Sequence, residues 1–87
     1  MKFSEVLVEL ENGAIAAREG WNGKNMYIFI VKGDAVKQAI YERYGDAEND
    51  CPILDVHDAI YMKTADDKLV AWVASQTDMF ANDWSVL

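Results

Sequence analysis

The chain has 87 residues, which corresponds to one domain, and 52% of them are hydrophobic. Its formal charge of −7 argues against sequence-independent binding to DNA or RNA, because phosphate neutralisation requires clustered lysine and arginine side chains. The single cysteine, Cys51, excludes an intrachain disulfide, and no apolar run or signal-peptide pattern is present, so we expect a soluble cytoplasmic protein.

The N-terminal third predicts a helix followed by a β-hairpin. Ser4 is a candidate N-cap, which places the helix at about 4–12. Residues 14–18 alternate weakly, as in a strand, and residues 26–31 are rich in β-branched and aromatic side chains. Glycine and asparagine mark the connection between the two strands. The turn of the predicted hairpin therefore carries Trp21.

The middle of the chain predicts a second helix and an acidic loop. Asp34 is a candidate cap for a helix that Gly45 ends, and residues 46–58 follow as a loop. Residues 32–58 carry seven acidic and three basic side chains, so the segment holds a net charge of −4. We interpret residues 32–58 as a variable helix-loop insert within a single domain that spans residues 1–87.

The C-terminal third predicts two strands, a short helix and a last strand. The strands lie at 60–63 and 69–72, and Ser75 caps the helix with Asp78 at capping-box spacing. Residues 84–87 read as an edge strand. The chain is therefore predicted to be a small α+β domain, an antiparallel sheet flanked by short helices. Because so short a chain buries only a small core, we also expect an oligomer.

No pattern in the sequence predicts catalysis, a metal site or a cofactor. Cys51 and His57 stand six residues apart in a predicted loop and lack any local sign of activation. Asp46, Glu48 and Asp50 resemble the opening of a calcium loop. That pattern then fails, because Cys51 and His57 stand where glycine and a bidentate glutamate are needed.

Trp21 stands in a turn that offers many backbone and amide donors. Gly20 and Gly23 allow close backbone approach, and Asn22 and Asn25 carry amides. An aromatic face beside such donors suits a nucleotide, because the ring stacks on a base and the donors bind an oxyanion. The residues alone leave a stacking role and a packing role evenly balanced.

Trp72 precedes the predicted capped helix by three residues. The free N–H groups around Gln76, Thr77 and Asp78 would form an anion site. The Asp78 carboxylate would oppose a phosphate, but it would accept a hydrogen bond from an adenine amino group or a ribose hydroxyl. Trp84 begins a strand, and we expect it to pack in the core.

Five short blocks, in this order and spacing, resemble the Thoeris anti-defence type 2 family of phage and prophage proteins. The blocks are Phe3-x-x-Val6-Leu7 with Gly13, Arg18-x-Gly20-Trp21-Asn22-Gly23-Lys24-x-Met26, Tyr61-Met62-Lys63-Thr64-Ala65-Asp66, Leu69-Val70-x-Trp72, and Ser75-Gln76-x-Asp78-Met79-x-Ala81-x-Asp83-Trp84. They lie within residues 3–31 and 60–86. The chain departs from the family in two ways. Ala71 and Ala74 stand at places where the family often has proline, and residues 32–58 have no matching counterpart and vary widely among relatives.

The resemblance implies a molecular sponge rather than an enzyme. Proteins of this family bind a cyclic ADP-ribose-type signal made by TIR-domain defence enzymes, and some relatives bind cyclic dinucleotides. They form homotetramers with pockets between protomers. Carried onto this chain, the ligand-binding residues would be Trp21, Asn22, Gly23, Lys24, Asn25, Met26, Lys63, Thr64, Ala65, Trp72, Ser75, Gln76, Thr77 and Asp78.

Two other functions are compatible with the residues. A protein-interaction module would use the tryptophan turns as a hydrophobic contact and the acidic 32–58 segment to attract a basic partner. A nucleotide hydrolase would use some of the abundant carboxylates, but no arrangement of residues favours it.

Overall fold

A computed structural model describes residues 1–21, 25–44 and 55–87. These form one α+β domain, as predicted, in which a five-stranded antiparallel sheet is accompanied by helices. The elements are α1 (Phe3–Glu11), β1 (Ala16–Arg18), a 3₁₀ turn (Glu19–Trp21), β2 (Tyr27–Val31), α2 (Gly33–Tyr44), β3 (Ala59–Lys63), β4 (Leu69–Ala71), α3 (Gln76–Phe80) and β5 (Trp84–Val86). None of the helices in these ranges combines the length and hydrophobicity needed to cross a bilayer.

The strand order is β4-β3-β2-β1-β5, so the last strand of the sequence lies beside the first. In β5, Trp84 is opposite Arg18 and Val86 is opposite Ala16. The predicted edge strand at the C-terminal end is therefore confirmed. The β1–β2 connection is also the predicted hairpin, with Trp21 at the end of its 3₁₀ turn.

Helix α1 begins one residue earlier than predicted. Lys2 is the residue at its N-cap, and the Lys2 backbone N–H donates to Oε1 of Glu5 at 2.9 Å. Ser4 lies inside the first turn, so the prediction that it caps the helix is wrong. Gly13, just past the end of the helix, has a φ of 94°, a conformation that glycine adopts at little cost.

Helix α2 begins at Gly33, and its cap comes from a distant part of the chain. The Gly33 N–H donates to Oδ1 of Asp58 at 2.8 Å, whereas Asp34 is already the second residue of the helix. The prediction of Asp34 as the cap is therefore wrong. A Cβ atom at Gly33 would collide with the Val56 backbone, which explains glycine at this position. The predicted end at Gly45 and the loop 46–54 lie outside the described residues.

The core lies between α1 and one face of the sheet. Directly opposed residues point to the same side of a sheet, so Ala16, Ile28 and Met62 share this face. Val6 and Leu10 of α1 complete the core with Trp84, so the core has six buried hydrophobic residues among those described. Val6 and Leu10 therefore form the side of α1 that packs against the sheet.

The opposite face of the sheet, here called the outer face, carries many apolar side chains. By the same register, its members are Ala17, Tyr27, Phe29, Val31, Ala59, Tyr61, Lys63, Leu69, Ala71 and Ser85. None of these described residues is buried: each is half-buried or exposed. The rings of Tyr27 and Phe29 lie 6.0 Å apart, and Tyr61 is directly opposite Phe29. The chain thus presents a flat aromatic surface on the side away from α1.

Replacing Asp58 by alanine should lower the melting temperature more than replacing Asp34 by alanine. Asp58→Ala removes the acceptor at the start of α2, whereas Asp34→Ala removes only a first-turn charge near the helix dipole. Thermal unfolding followed by circular dichroism compares the two variants directly. A larger loss for Asp34→Ala would contradict the assignment of the cap.

Candidate functional site

Trp84 lies at the centre of an aromatic cluster on the α1 side of the sheet. The Trp84 ring is 5.3 Å from Trp21 and 6.1 Å from Trp72, with both rings nearly perpendicular to it. Phe3 contacts the Trp84 and Trp72 rings at 5.3 and 6.0 Å. Trp84 is only 2% exposed, which confirms its predicted packing role. Trp21 and Trp72 are half-buried, so each packs in part and leaves part of its ring accessible.

Arg18 lies next to this cluster and joins two carboxylates from the C-terminal part of the chain. Its Nε donates to Asp83 at 2.9 Å and its Nη1 donates to Asp78 at 2.8 Å. The Arg18 side chain is 17% exposed and the Asp78 side chain 14%, so water screens this pair less than a surface pair. We call Arg18, Asp78 and Asp83 the ionic triad.

The ionic triad shifts the pKa of each of its members. The hydrogen bonds that Arg18 donates to Asp83 and Asp78 raise the pKa of Arg18. The Arg18 hydrogen bond, followed by that of the Gly20 N–H, lowers the pKa of Asp83. Partial burial acts to raise the pKa of Asp78, but hydrogen bonds from Arg18 and Ser75 outweigh it and the pKa is lowered. All three groups are therefore charged near neutral pH.

The start of α3 is the capping box that the sequence predicts. Oγ of Ser75 accepts from the Asp78 N–H at 3.0 Å, and the Asp78 carboxylate accepts from the Ser75 N–H at 3.1 Å. The Asp78 carbonyl also accepts from Trp84 Nε1 at 2.9 Å. Asp78 therefore has a structural role that spacing alone did not reveal, since it binds Arg18 in addition to the cap.

A second group of predicted residues lies where β2 and β3 meet. Lys63 is opposite Tyr27, and its Nζ donates to the Asn25 carbonyl at 2.8 Å and pairs with Asp67 at 2.7 Å. Asn25 and Asp67 both have positive φ values, of 56° and 62°. The structure thus places Lys63 beside Asn25, with Met26 just before β2 and Thr64 just after β3.

Three residues of the predicted site, Asn22, Gly23 and Lys24, lie outside the described residues. Of the others, Gln76 and Thr77 are exposed in the first turn of α3, and Ala65 is exposed in the turn after β3. Three prominent clefts of about 460 to 490 Å³ open on the described surface. None of the predicted ligand-binding residues lines these three clefts. The described part of the predicted site therefore lies apart from these three clefts.

The described residues contain no group of three His, Cys, Asp or Glu side chains arranged to bind a metal ion. The ring Nδ1 of His57 lies 2.8 Å from the Asp58 carbonyl on the surface. Cys51 and the Asp46–Asp50 pattern fall outside the ranges that the structure describes.

Comparison with known proteins shows to which family this chain belongs. The model of the Thoeris anti-defense 2-like domain matches residues 1–87. The chain belongs to the Thoeris anti-defense 2-like family. It is 41% identical to a protein named Thoeris anti-defense 2 from Bacillus phage SP01, over the whole of this chain and 94% of that protein. The family resemblance predicted from the sequence blocks is confirmed.

In this family member, sequence reasoning missed two features of the candidate site. The ionic triad was not predicted, although Arg18 and Asp83 each stand three residues or fewer from a tryptophan, at Trp21 and Trp84. Phe3 was not assigned to the aromatic cluster. The sequence signal that could have predicted the ionic triad is a charged residue close to a tryptophan in each of two distant blocks, Arg18 near Trp21 and Asp83 near Trp84.

The ionic triad should stabilise the fold at neutral pH, and this stabilisation should be lost at acidic pH. Because the folded pKa values of Asp78 and Asp83 lie below the ordinary 3.8, their contribution is complete above that value and is lost as pH falls through the lower folded values. The melting-temperature advantage of the wild-type chain over Arg18→Gln should therefore be constant near neutral pH and shrink below about pH 4.

Thermal unfolding from neutral pH down to about pH 2.5 measures this difference. Lys68→Gln is the matched control, because it removes an exposed ion pair with Asp66 at 3.5 Å. A wild-type advantage that grows with acidification would contradict the assignment.

Proposed function

We propose that this chain binds a cyclic ADP-ribose-type immune signal made by TIR-domain enzymes, sequesters it without degrading it, and thereby inhibits Thoeris anti-phage defence. The observation that carries the proposal is the pair of half-buried tryptophans, Trp21 and Trp72, each beside a hydrogen-bonding turn, in a member of the Thoeris anti-defense 2-like family. The relative's name, Thoeris anti-defense 2, supports the same biological role. The signal would be bound in the cytosol of the infected cell.

Stacking on two rings, together with hydrogen bonds to phosphate, would supply enough free energy for sequestration. A base stacked on an aromatic side chain gains about 1–3 kcal/mol. Two such faces and several amide–phosphate hydrogen bonds reach roughly −10 to −12 kcal/mol, which corresponds to nanomolar binding. Trp21 and Trp72 suit this role because Trp84 and Phe3 hold their rings from one side and limit the side-chain entropy lost on binding.

The ligand would bind in pockets completed by another protomer of a homotetramer. Two features support this arrangement. The described members of the predicted site line none of the three prominent clefts of the described surface. The apolar outer face, including Phe29 and Tyr61, offers a surface on which a second copy would gain burial.

A sponge requires no nucleophile, general base or metal ion, and we propose that the chain has no enzymatic activity and no cofactor. The carboxylates nearest the tryptophans support this, because Asp78 and Asp83 are paired with Arg18 and kept ionised. A carboxylate with a lowered pKa is a poor general acid at neutral pH.

Trp21→Ala and Trp72→Ala should each weaken ligand binding by about 5- to 150-fold, the loss of one stacking face. Isothermal titration calorimetry with isomers of cyclic ADP-ribose, and separately with cyclic dinucleotides, measures the affinities and identifies the ligand class. Phe80→Ala is the control, because Phe80 is 79% exposed and lies outside the aromatic cluster. Circular dichroism establishes that each variant remains folded.

Denaturing the wild-type complex should release intact ligand, identified by mass spectrometry. Recovery of only a cleaved product would replace the sponge with a hydrolase. A folded chain that binds neither class of nucleotide but retains a stable protein partner would favour an interaction module.

Phe29→Asp should convert the oligomer into smaller species, because it places a charge at the centre of the outer face. Size-exclusion chromatography with light scattering measures the mass. The matched control is Val8→Asp, on the exposed side of α1, where Val8 is 57% exposed. An unchanged mass for Phe29→Asp, or an equal loss of mass for both variants, would show that the outer face is not the interface.

A further inference from the structure

We infer that Arg18 is a positioning residue of the proposed nucleotide site, one that fixes the Trp21 turn relative to the Ser75–Asp78 turn before any ligand arrives. The inference rests on the proposed function, because it concerns how the same site obtains its affinity. Arg18 would act through these two turns and not by contact with the nucleotide.

Arg18 donates from two different nitrogens to two different carboxylates. Nε binds Asp83 and Nη1 binds Asp78, at 2.9 and 2.8 Å. The two carboxylates lie five residues apart in the sequence, on either side of the α3 C-terminus. A guanidinium has several N–H groups in a fixed planar geometry, whereas a lysine ammonium is a single point of attachment. Arginine is therefore the side chain suited to hold both carboxylates at once.

Asp83 also binds the turn that carries Trp21. Oδ2 of Asp83 accepts from the Gly20 N–H at 2.9 Å, and the Asp83 carbonyl accepts from the Glu19 N–H at 3.0 Å. A Cβ atom at Gly20 would stand 3.1 Å from this carboxylate, so the close approach favours glycine. The residue immediately before Trp21 is thus attached to the ionic triad.

Asp78 binds the Ser75–Asp78 turn, which is the other predicted side of the site. Its carboxylate accepts from both the N–H and the Oγ of Ser75, at 3.1 and 2.8 Å, in addition to Arg18. Gln76 and Thr77, the predicted ligand residues, lie between these two anchors. Asp78 is 60 residues from Arg18 in the sequence.

These attachments set the spacing between Trp21 and the Ser75–Asp78 turn in the free protein. Order that already exists in the free protein does not have to be created when the ligand binds, so it adds to the affinity. Removing the Arg18 bridge would leave each turn intact locally, through its own capping or backbone hydrogen bonds. The contacts of Trp84 with Trp21 and with the Asp78 carbonyl would then hold the spacing of the two turns less firmly. The loss should appear in ligand binding as well as in stability.

The experiment compares Arg18→Lys, Trp21→Ala and the double variant in a double-mutant cycle. The readouts are calorimetric affinity for the cyclic ADP-ribose isomer that the wild-type chain binds, and ligand dissociation in a stopped-flow instrument. Arg18→Lys should weaken binding by about tenfold, mainly through faster dissociation. The double variant should bind no more weakly than Trp21→Ala alone, because Arg18 acts through the position of Trp21. Lys68→Gln, the exposed control, should match the wild type.

Three results would overturn the inference. Equal affinity of Arg18→Lys and wild type shows that the bridge does not position the site. Additive losses in the double variant show that Arg18 acts independently of Trp21. If Arg18→Lys fails to fold, Asp83→Asn takes its place in the cycle. This variant keeps an oxygen that accepts from the Gly20 N–H but weakens the bond to Arg18. Wild-type affinity in Asp83→Asn would likewise show that the bridge does not position the site. Failure of the wild-type chain to bind any nucleotide is a distinct result that removes the proposed function itself.

Discussion

The burial of Trp84 is the interaction on which the other parts of this small domain depend. Its ring contacts Phe3 at the start of α1, Trp21 in the hairpin turn and Trp72 after β4, and its indole N–H donates to the Asp78 carbonyl. An 87-residue chain has room for few such side chains, and among the described residues Trp84 is the largest one fully buried. Displacing it would separate the helix, the turn and the C-terminal segment at once.

In the proposed function, this arrangement divides three tryptophans between stability and recognition. Trp84 is fully buried, whereas Trp21 and Trp72 lean against it and keep part of their surface accessible. A half-buried ring is held in place by the core and still offers a face to a ligand, which is the property that tight, non-catalytic binding requires. The proposed site therefore uses the same contacts that stabilise the fold.

Features set by neighbouring residues were predictable, and features set by distant residues were not. Strand positions agree within about two residues and the Ser75 cap is correct, because alternation and capping act over a few residues. Ser4 and Asp34 were the right residue types beside helix starts, but the actual cap of α2 is Asp58, 25 residues away. The bridges of Arg18 span 60 and 65 residues, so they depend on the finished fold. A pocket between protomers depends further on surfaces of a second chain.

The pairing of β5 with β1 has a consequence for how the chain is made on the ribosome. Residues 16–18 lack one of their neighbouring strands until residues 84–86 have been synthesised. Asp78 and Asp83, the carboxylates that bind Arg18, are also synthesised near the end. The core, which includes Trp84, therefore closes only after these residues have emerged, and β1 has an unpaired edge until then. Truncated or stalled products that lack the last strand would be substrates for chaperones and proteases, and would add little to the pool of active protein.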